Sequence, residues 1–265
     1  MIEHYTPSHK SYSSPPNVVG ALLTHASRGR KKEIEMAAFN EHRFAFYFWA
    51  KWKKENKINP TPDLITFDWH QDLVSVKNKE QLKKLDLKNL FEVSFFAWAK
   101  LSIANDNHIL AAAYLDLIGD VYVVCKEAPN PPLPPPQGGD VPMNVSPSGG
   151  AVKEIIDIKG KKHFIRKYEN EQALMDNIQT QNIEHLYFDI DLDYFTIENK
   201  SSNKEQRFTY MKDREIKEIF NLETPFIQWI FKRMEGLTIA FEPDYTGGID
   251  KSMKYYNLLD KLWFA

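Results

Sequence analysis

The chain has 265 residues with 34 basic and 36 acidic side chains, so its formal net charge at neutral pH is −2. This balance gives no general electrostatic reason to expect nucleic acid or a membrane surface as a partner. No apolar run reaches the roughly 18 residues of a membrane span, and the single cysteine, Cys125, excludes a disulfide framework. With no signal-peptide pattern either, we expect one domain over residues 1–265 in the cytoplasm.

The first third of the chain is expected to contain an irregular start, helices and one short strand. Residues 1–17 hold three prolines and are expected to be irregular. Residues 30–57 are rich in Glu, Lys, Ala and aromatic residues, which predicts one long helix or two abutting helices, ended by Pro60. Residues 64–67 are predicted as a short strand and residues 79–90 as a helix.

The middle of the chain combines helix, strand and loop signals. Residues 94–118 are predicted to be helical, and the continuous apolar run 121–125 is typical of a strand buried on both faces. Residues 128–150 hold eight of the 15 prolines and are expected to form a surface loop or a binding rim. A hairpin is predicted over 152–168 and a helix over 170–181.

The last part of the chain continues the alternation of helices and strands. Residues 185–188 are predicted as a strand, and 213–235 as a helix in two pieces because Pro225 interrupts it. Gly236 is expected to end the second piece, and residues 237–241 then form a buried strand. Strands separated by helices predict an α/β fold with a mostly parallel, doubly wound sheet.

Two strings of alternating acidic residues stand at the ends of predicted strands. They consist of Asp68, His70 and Asp72, and of Asp189, Asp191 and Asp193. Residues at every second position share one face of a strand, so each string presents its side chains together. Glu242 follows a third buried strand. The carboxyl ends of parallel strands meet at one edge of a sheet, where ligands bind.

The chemistry of the two strings favours divalent metal ions. Their five carboxylates would repel one another unless cations lay among them. Mixed Asp and His ligands favour a borderline-hard ion such as Mn²⁺, and two such ions can lower the pKa of a shared water. The alternative is that these residues only cap helices and form ion pairs, but neither string contains a Lys or Arg to neutralise it.

The chain order of these residues resembles the arginase/deacetylase superfamily. Arginases have a lone His at a helix start, then Asp-x-His-x-Asp, then Asp-x-Asp, then a Glu that holds the substrate, and His42 in Asn-Glu-His-Arg corresponds to the first. The resemblance implies a three-layer α/β/α sandwich with two Mn²⁺ ions. It implies that Asp68 and Asp189 bridge the ions. His42 and Asp72 would complete one ion's ligands, and His70 and Asp191 the other's; the role of Asp193 stays open.

The resemblance also implies roles for residues around the ions. Asp72 would accept a hydrogen bond from the attacking hydroxide, and Glu242 would orient the substrate. The segment from Asn105 to His108 resembles the arginase segment that contacts the substrate and whose His shuttles a proton to the leaving amine. His108 is therefore the candidate proton shuttle and Asn105 a candidate substrate contact, although a structural hydrogen bond explains His108 equally well.

Departures from ordinary arginases indicate the substrate. The Gly-Gly-Asp-His string is absent, and residues 73–76 lack the Asn and small polar residues that clamp a free amino acid. These features resemble an atypical branch that includes peptide arginases. That branch implies hydrolysis of arginine side chains in a ribosomally made precursor peptide to ornithine and urea.

Other readings of the motifs remain. The alternative is a small-molecule ureohydrolase of the arginase or agmatinase type, or another metal-dependent C–N hydrolase. A deacetylase lacks support because no adjacent His pair is present, and a metallophosphoesterase because no Gly-His-x-His follows. A non-enzymatic peptide-binding module would not need the complete ligand set.

Overall fold

The fold is α/β, and most of its strands belong to one sheet. The computed structural model describes residues 18–23, 34–77, 79–126, 144–145, 151–179, 181–198 and 208–263. The sheet strands, numbered in chain order, are β1 (Val18–Leu23), β2 (Ile34–Phe39), β3 (Asp63–Asp68), β4 (Val121–Cys125), β5 (Asn144–Val145), β6 (Ala151–Ile156), β7 (Lys162–Tyr168), β8 (Leu186–Asp191) and β11 (Met234–Ala240). A separate antiparallel pair is formed by β9 (Thr196–Glu198) and β10 (Phe208–Tyr210).

Helices occupy most of the connections between these strands. They are α1 (Ala45–Asn56), α2 (Lys79–Lys83), α3 (Leu90–Ala99), α4 (His108–Tyr114), α5 (Glu171–Ile178), α6 (Asp213–Phe220), α7 (Pro225–Arg233), α8 (Pro243–Thr246) and α9 (Ile249–Trp263). Two 3₁₀ turns, His42–Phe44 and Leu192–Phe195, follow strands β2 and β8. Among the described residues, none of the helices combines the length and apolarity needed to cross a bilayer.

The order in which the chain adds strands to the sheet reverses near the centre of the sheet. The strand order is β1-β2-β11-β8-β3-β4-β7-β6-β5. The neighbours from β2 to β7 in this order are parallel, whereas β1, β6 and β5 pair antiparallel at the two edges. From β3 the chain moves outward through β4, and later returns to the other side of β3 as β8. Such a reversal opens a crevice at the carboxyl ends of β3 and β8.

The buried apolar side chains form two clusters, and residues of one strand alternate between them. Tyr187 of β8 belongs to the cluster that contains α1, α3 and α4, whereas Phe188 belongs to the cluster that contains α5, α6, α7 and α9. Val123 and Val124 of β4 divide in the same way. This alternation explains why the central strands are apolar throughout rather than at every second residue.

Several expected elements are confirmed. The hairpin over 152–168 is β6 and β7, whose connecting turn places Gly160 at a φ of 84°. The helix expected over 170–181 is α5, and Pro225 begins α7 after the break that follows α6. Cys125 is buried at the end of β4, and its thiol donates to the carbonyl oxygen of Trp69 at 3.1 Å.

The long helix expected over residues 30–57 is wrong for its first half. Residues Ile34–Phe39 form β2, and the helix begins only at Ala45. Met36 and Ala37 of β2 are buried in different clusters, and β2 pairs in parallel with β11. Burial on both faces of a sheet therefore outweighs the helix propensity of Glu, Met and Ala.

The expected helices over 79–90 and 94–118 have different boundaries. Asn89 caps α3 because its side chain accepts hydrogen bonds from the backbone N–H groups of Phe91 and Glu92, so the helix starts there. Residues 100–107 are not helical, and the side chain of Asn107 accepts a hydrogen bond from the N–H of Ser102 at 3.0 Å. Polar side chains that bond to nearby backbone thus separate α3 from α4.

Gly236 does not end a helix, because it lies inside β11. A Cβ at this position would come within 2.4 Å of the Trp52 ring, so glycine is needed for close packing between α1 and the strand. The expectations for residues 1–17 and for most of 128–150 fall outside the described residues. Asn144–Val145, within the latter segment, pair with β6 at the edge of the sheet.

Candidate metal centre

The two acidic strings lie side by side in the crevice where the strand order reverses. Asp68 ends β3 and Asp191 ends β8, and the two strands are in parallel register with Phe67 opposite Ile190. The next residue of each strand therefore brings these two carboxylates to the same edge. Both side chains are almost completely buried, with exposures of 1% and 2%.

His42 lies at the centre of the acidic residues. Its Nδ1 atom is 3.1 Å from Oδ2 of Asp72, 3.2 Å from Oδ2 of Asp191 and 3.5 Å from Oδ2 of Asp68. His42 begins the 3₁₀ turn that leads into α1, as expected for a His at a helix start. One imidazole nitrogen thus faces carboxylates from two strands and from the loop after β3.

A second group shares Asp68 with the first. His70 Nδ1 is 2.9 Å from Oδ2 of Asp193, and the other oxygen of Asp193 accepts a hydrogen bond from the N–H of Trp69 at 3.0 Å. Potential ligand atoms of Asp68, His70 and Asp193 lie within 4.8 Å of one another, as do those of His42, Asp68 and Asp191. Asp68 is therefore placed to serve both groups.

Crowding and burial raise the pKa values of most of these carboxyl groups. Burial and the charge of Asp193 raise the pKa of Asp68 to about 6, despite the opposing effect of His42. Burial and Asp68 raise the pKa of Asp72, and burial and Asp193 raise that of Asp191, each well above 3.8. Several anions in one buried space are unfavourable unless cations compensate them.

The imidazoles respond to the same charges in different ways. Burial would lower the pKa of His42, but Asp189 and the hydrogen-bonded carboxylates raise it well above 6.5. Burial likewise opposes the effect of Asp193 at His70, whose pKa rises to about 9. Burial and neighbouring His42 lower the pKa of His108 well below 6.5, so this residue is neutral. His42 and His70 thus both lie among acidic groups that favour a nearby cation.

The donor set fits divalent metal ions. Of nine buried side-chain N and O atoms without a hydrogen-bond partner of good geometry among the described residues, three are His42 Nδ1, Asp68 Oδ2 and Asp193 Oδ2. Buried polar atoms are rarely left in this state, and all three belong to the groups described above. Carboxylate oxygens with imidazole nitrogens are a ligand set that Mn²⁺ and related ions accept.

Another His/Asp grouping, elsewhere in the described residues, does not fit a metal ion. Asp116, Asp157 and His163 lie close together. However, Lys53 and Lys159 approach Oδ2 of Asp116 at 3.0 and 2.9 Å. Ammonium groups already neutralise this carboxylate, so the grouping is a structural ion-pair network.

Glu242 lies beside the first group in a strained conformation. It follows β11, its φ is 39°, and its side chain is 5% exposed. Oε1 accepts hydrogen bonds from the N–H of His42 at 2.9 Å and from the side-chain amide of Asn105. No hydrogen bond from the described residues reaches Oε2. Burial raises the pKa of Glu242 to about 8; His42 opposes this shift, and the charge of Asp193 adds to it.

Positive φ angles are concentrated at this site. Of five described non-glycine residues with positive φ, three are Asp72, Asn105 and Glu242. Asn and Asp adopt such angles readily, whereas Glu does so at a cost. Strained backbone of this kind clusters at functional sites, because surrounding structure must maintain it.

His108 is packed behind His42 rather than exposed to the crevice. The two ring centroids are 4.3 Å apart, and the indole of Trp49 stacks on His108 at 5.7 Å. Nδ1 of His108 is 2.8 Å from the carbonyl oxygen of Asn105. The hydrogen bond expected under the structural reading is therefore present, and the proton-shuttle role stays a prediction.

The structure brings together every residue that sequence reasoning placed at the site, but not always in the expected relation. Asp189 lies on the Nε2 side of His42, away from the other carboxylates, and Asp193 joins His70. Thr66 and Thr238, which hydrogen-bond Asp189, were missed. Their signal was a single Thr inside each of the apolar runs 64–67 and 237–241.

Comparison of the chain with known protein families gives no match, and comparison with curated proteins gives no match either. Its function is therefore inferred from the residues of the site and from the motif resemblance.

Proposed function

We propose that this chain is a metal-dependent hydrolase that converts arginine side chains of a ribosomally made precursor peptide to ornithine and urea. The observation that carries the proposal is the position of Asp68, a buried carboxylate that belongs to two His/Asp groups in the central crevice. A shared carboxylate suits two divalent ions held side by side. We expect both ions to be Mn²⁺.

The contacts support a ligand assignment that differs from the resemblance in the second string. The first ion would be held by His42, Asp68, Asp72 and Asp191, and the second by Asp68, His70 and Asp193. In the arginase pattern the second string supplies Asp189 and Asp191, whereas here it would supply Asp191 and Asp193, two residues further along the chain. It also gives Asp193, whose role the sequence left open, a defined place.

The proposed reaction uses water and three groups of the protein. Bound divalent ions lower the pKa of water, so that it can attack a guanidinium carbon at neutral pH. The water oxygen first bonds to that carbon, and the bond from the carbon to the side-chain nitrogen then breaks. This nitrogen takes up the protons of the water, one of them by way of Asp72, while urea leaves. Asp72 would accept a proton from the water, Oε2 of Glu242 would pair with the guanidinium, and Asn105 would hold Glu242 in place.

A peptide substrate is supported by the segment after Asp72. Residues 73, 74 and 76 are apolar and Val74 is 47% exposed, so Ser75 is the single polar side chain that this short segment offers to a free amino acid. A peptide-embedded arginine has no free α-carboxylate or α-amine to be held there. The same rim would suit an extended chain whose arginine alone enters the crevice.

We also propose that the fold is the three-layer α/β/α sandwich that the resemblance implies. The two buried clusters support it, since helices α1, α3 and α4 contribute to one and α5, α6, α7 and α9 to the other. Layers of helices on both sides of a parallel sheet are the usual arrangement in such folds.

The proposal is tested with metal-free protein, Mn²⁺ and a set of arginine-containing peptides, followed by mass spectrometry and a urea assay. We expect two bound Mn²⁺ per chain and a loss of CH₂N₂ from the peptide for each arginine converted. Asp68→Asn should bind fewer ions and lose activity, whereas Asp260→Asn, on an exposed position of α9, should match the wild type.

Two results would contradict this proposal in different ways. Turnover of free arginine or agmatine without any change in peptides would support the small-molecule ureohydrolase instead. Protein that binds no divalent ion and leaves every substrate unchanged would overturn the metal-dependent hydrolase altogether.

A further inference from the structure

The ring of His42 lies between two sets of carboxylates that play different parts. Nδ1 faces Asp72 and Asp191 at 3.1 and 3.2 Å, whereas Nε2 is 2.7 Å from Oδ2 of Asp189. The lone pairs of the two nitrogens point away from each other across the imidazole ring. An ion bound to Nδ1 together with Asp72 and Asp191 would therefore lie on the opposite side of the ring from Asp189.

Both oxygens of Asp189 already have protein donors. The hydroxyl of Thr66 donates to Oδ2 at 2.7 Å, and the hydroxyl of Thr238 donates to Oδ1. Thr66 and Thr238 are the register partners of Asp189 on the two neighbouring strands, β3 and β11. All three side chains are fully buried, so the sheet itself holds this carboxylate in place.

We infer that Asp189 is a positioning residue for His42 and not a ligand of the ions. It would accept the Nε2–H of His42 and thereby fix the tautomer whose Nδ1 lone pair faces Asp72 and Asp191. A carboxylate in this relation to a ligating His orients the ring and raises its basicity. The inference rests on the proposed metal centre.

The first test compares metal binding of Asp189→Asn with that of Asp68→Asn. The asparagine retains the shape and one acceptor, so we expect two Mn²⁺ per chain bound with about 10- to 100-fold weaker affinity. Asp68→Asn should instead lower the number of bound ions. Asp157→Asn is the matched control, because Asp157 is also buried and lies 3.2 Å from a His, His163, outside the centre; its Mn²⁺ affinity should be unchanged.

A second pair of variants leaves Asp189 intact, in case its replacement prevents folding. Thr66→Val removes a donor to the carboxylate, whereas Thr66→Ser keeps the hydroxyl. We expect weaker Mn²⁺ binding in the first and near wild-type binding in the second. The ¹⁵N chemical shifts of the His42 ring in Zn²⁺-loaded protein should show a protonated Nε2 in the wild type, and a weakened hydrogen bond in Thr66→Val.

The outcomes separate this inference from the proposed function. Wild-type protein that binds no ion overturns both. Wild-type protein that binds two ions, with Asp189→Asn reduced to the stoichiometry of Asp68→Asn, shows that Asp189 is a ligand and overturns the inference alone. Unchanged affinity in Asp189→Asn and in Thr66→Val overturns it as well.

Discussion

At the scale of single residues, Glu242 has the most unusual position in the site. Its backbone is in the left-handed region, its side chain is buried, and two donors hold Oε1. Such strain is maintained only where neighbouring structure compensates it. The result is a carboxyl group whose Oε1 is held in place by the protein, whereas Oε2 accepts no hydrogen bond from the described residues.

Glu242→Gln should separate substrate binding from metal binding. Glutamine keeps the acceptor for His42 and Asn105 but replaces Oε2 with an NH₂ group, which repels a guanidinium. We expect kcat/KM on arginine peptides to fall about 10- to 100-fold, as for loss of a hydrogen bond between charged groups, with two Mn²⁺ still bound.

Glu235→Gln, in the strand β11 that precedes Glu242 and paired with His185 at 2.9 Å, is the control and should keep full activity. Loss of a bound ion in Glu242→Gln would place Glu242 among the ligands, and an unchanged kcat/KM would remove its role with the substrate.

Residue-level prediction succeeded where strand geometry alone determined the arrangement. Asp68 and Asp191 could be placed together because alternating residues share a face and parallel strands end at one edge. The relation of Asp189 to the site could not be predicted in this way, since it depends on the register between β8 and its neighbours. Without that register, the sequence does not tell which Asp residues of the second string face the centre.

At the scale of elements, the largest error concerned β2, whose residues favour a helix. Glu35, Met36 and Ala37 are residue types with high helix propensity, but in the sheet they form a strand that pairs with β11. This pairing depends on a strand about 200 residues away in the sequence, so local propensity cannot predict it. By contrast, the hairpin of β6 and β7 was predictable because its turn residues and alternation are local.

Gly236→Ala should destabilise the contact between β11 and α1. The added methyl group would meet Trp52, whose ring is held by a hydrogen bond from Nε1 to Glu35 at 2.9 Å. We expect the free energy of unfolding to fall by about 1–3 kcal/mol, the usual cost of overpacking a core. Urea denaturation followed by circular dichroism measures this change.

The same experiment in a Trp52→Leu background is its control. There the added methyl group has no ring to meet, so Gly236→Ala should cost much less. An equal cost in both backgrounds would mean that the glycine is needed for its backbone conformation and not for space.

At the scale of the whole molecule, Asp116 joins three separate parts of the chain. It lies after α4, Lys53 belongs to α1, and Lys159 and Lys161 belong to the β6–β7 turn. Their ammonium nitrogens lie 3.0, 2.9 and 3.5 Å from its carboxylate oxygens. Burial alone would raise the pKa of Asp116, but these lysines lower it below 3.8. The carboxylate thus ties the edge hairpin to the helices.

The linkage makes this contribution to stability depend on pH in a defined direction. Because the folded-state pKa of Asp116 lies below its unfolded value, the stabilisation is present above pH 3.8 and is lost as the pH falls through the folded-state pKa. We expect Asp116→Asn to lower the free energy of unfolding by about 1 kcal/mol at pH 7, since exposed lysines weaken such pairs. The difference between variant and wild type should then shrink steadily as the pH is lowered below 3.8. Urea denaturation at each pH measures this difference. Asp260→Asn is the control and should differ little from wild type at any pH. If the difference for Asp116→Asn stayed constant below pH 3.8, packing and not charge would hold the hairpin.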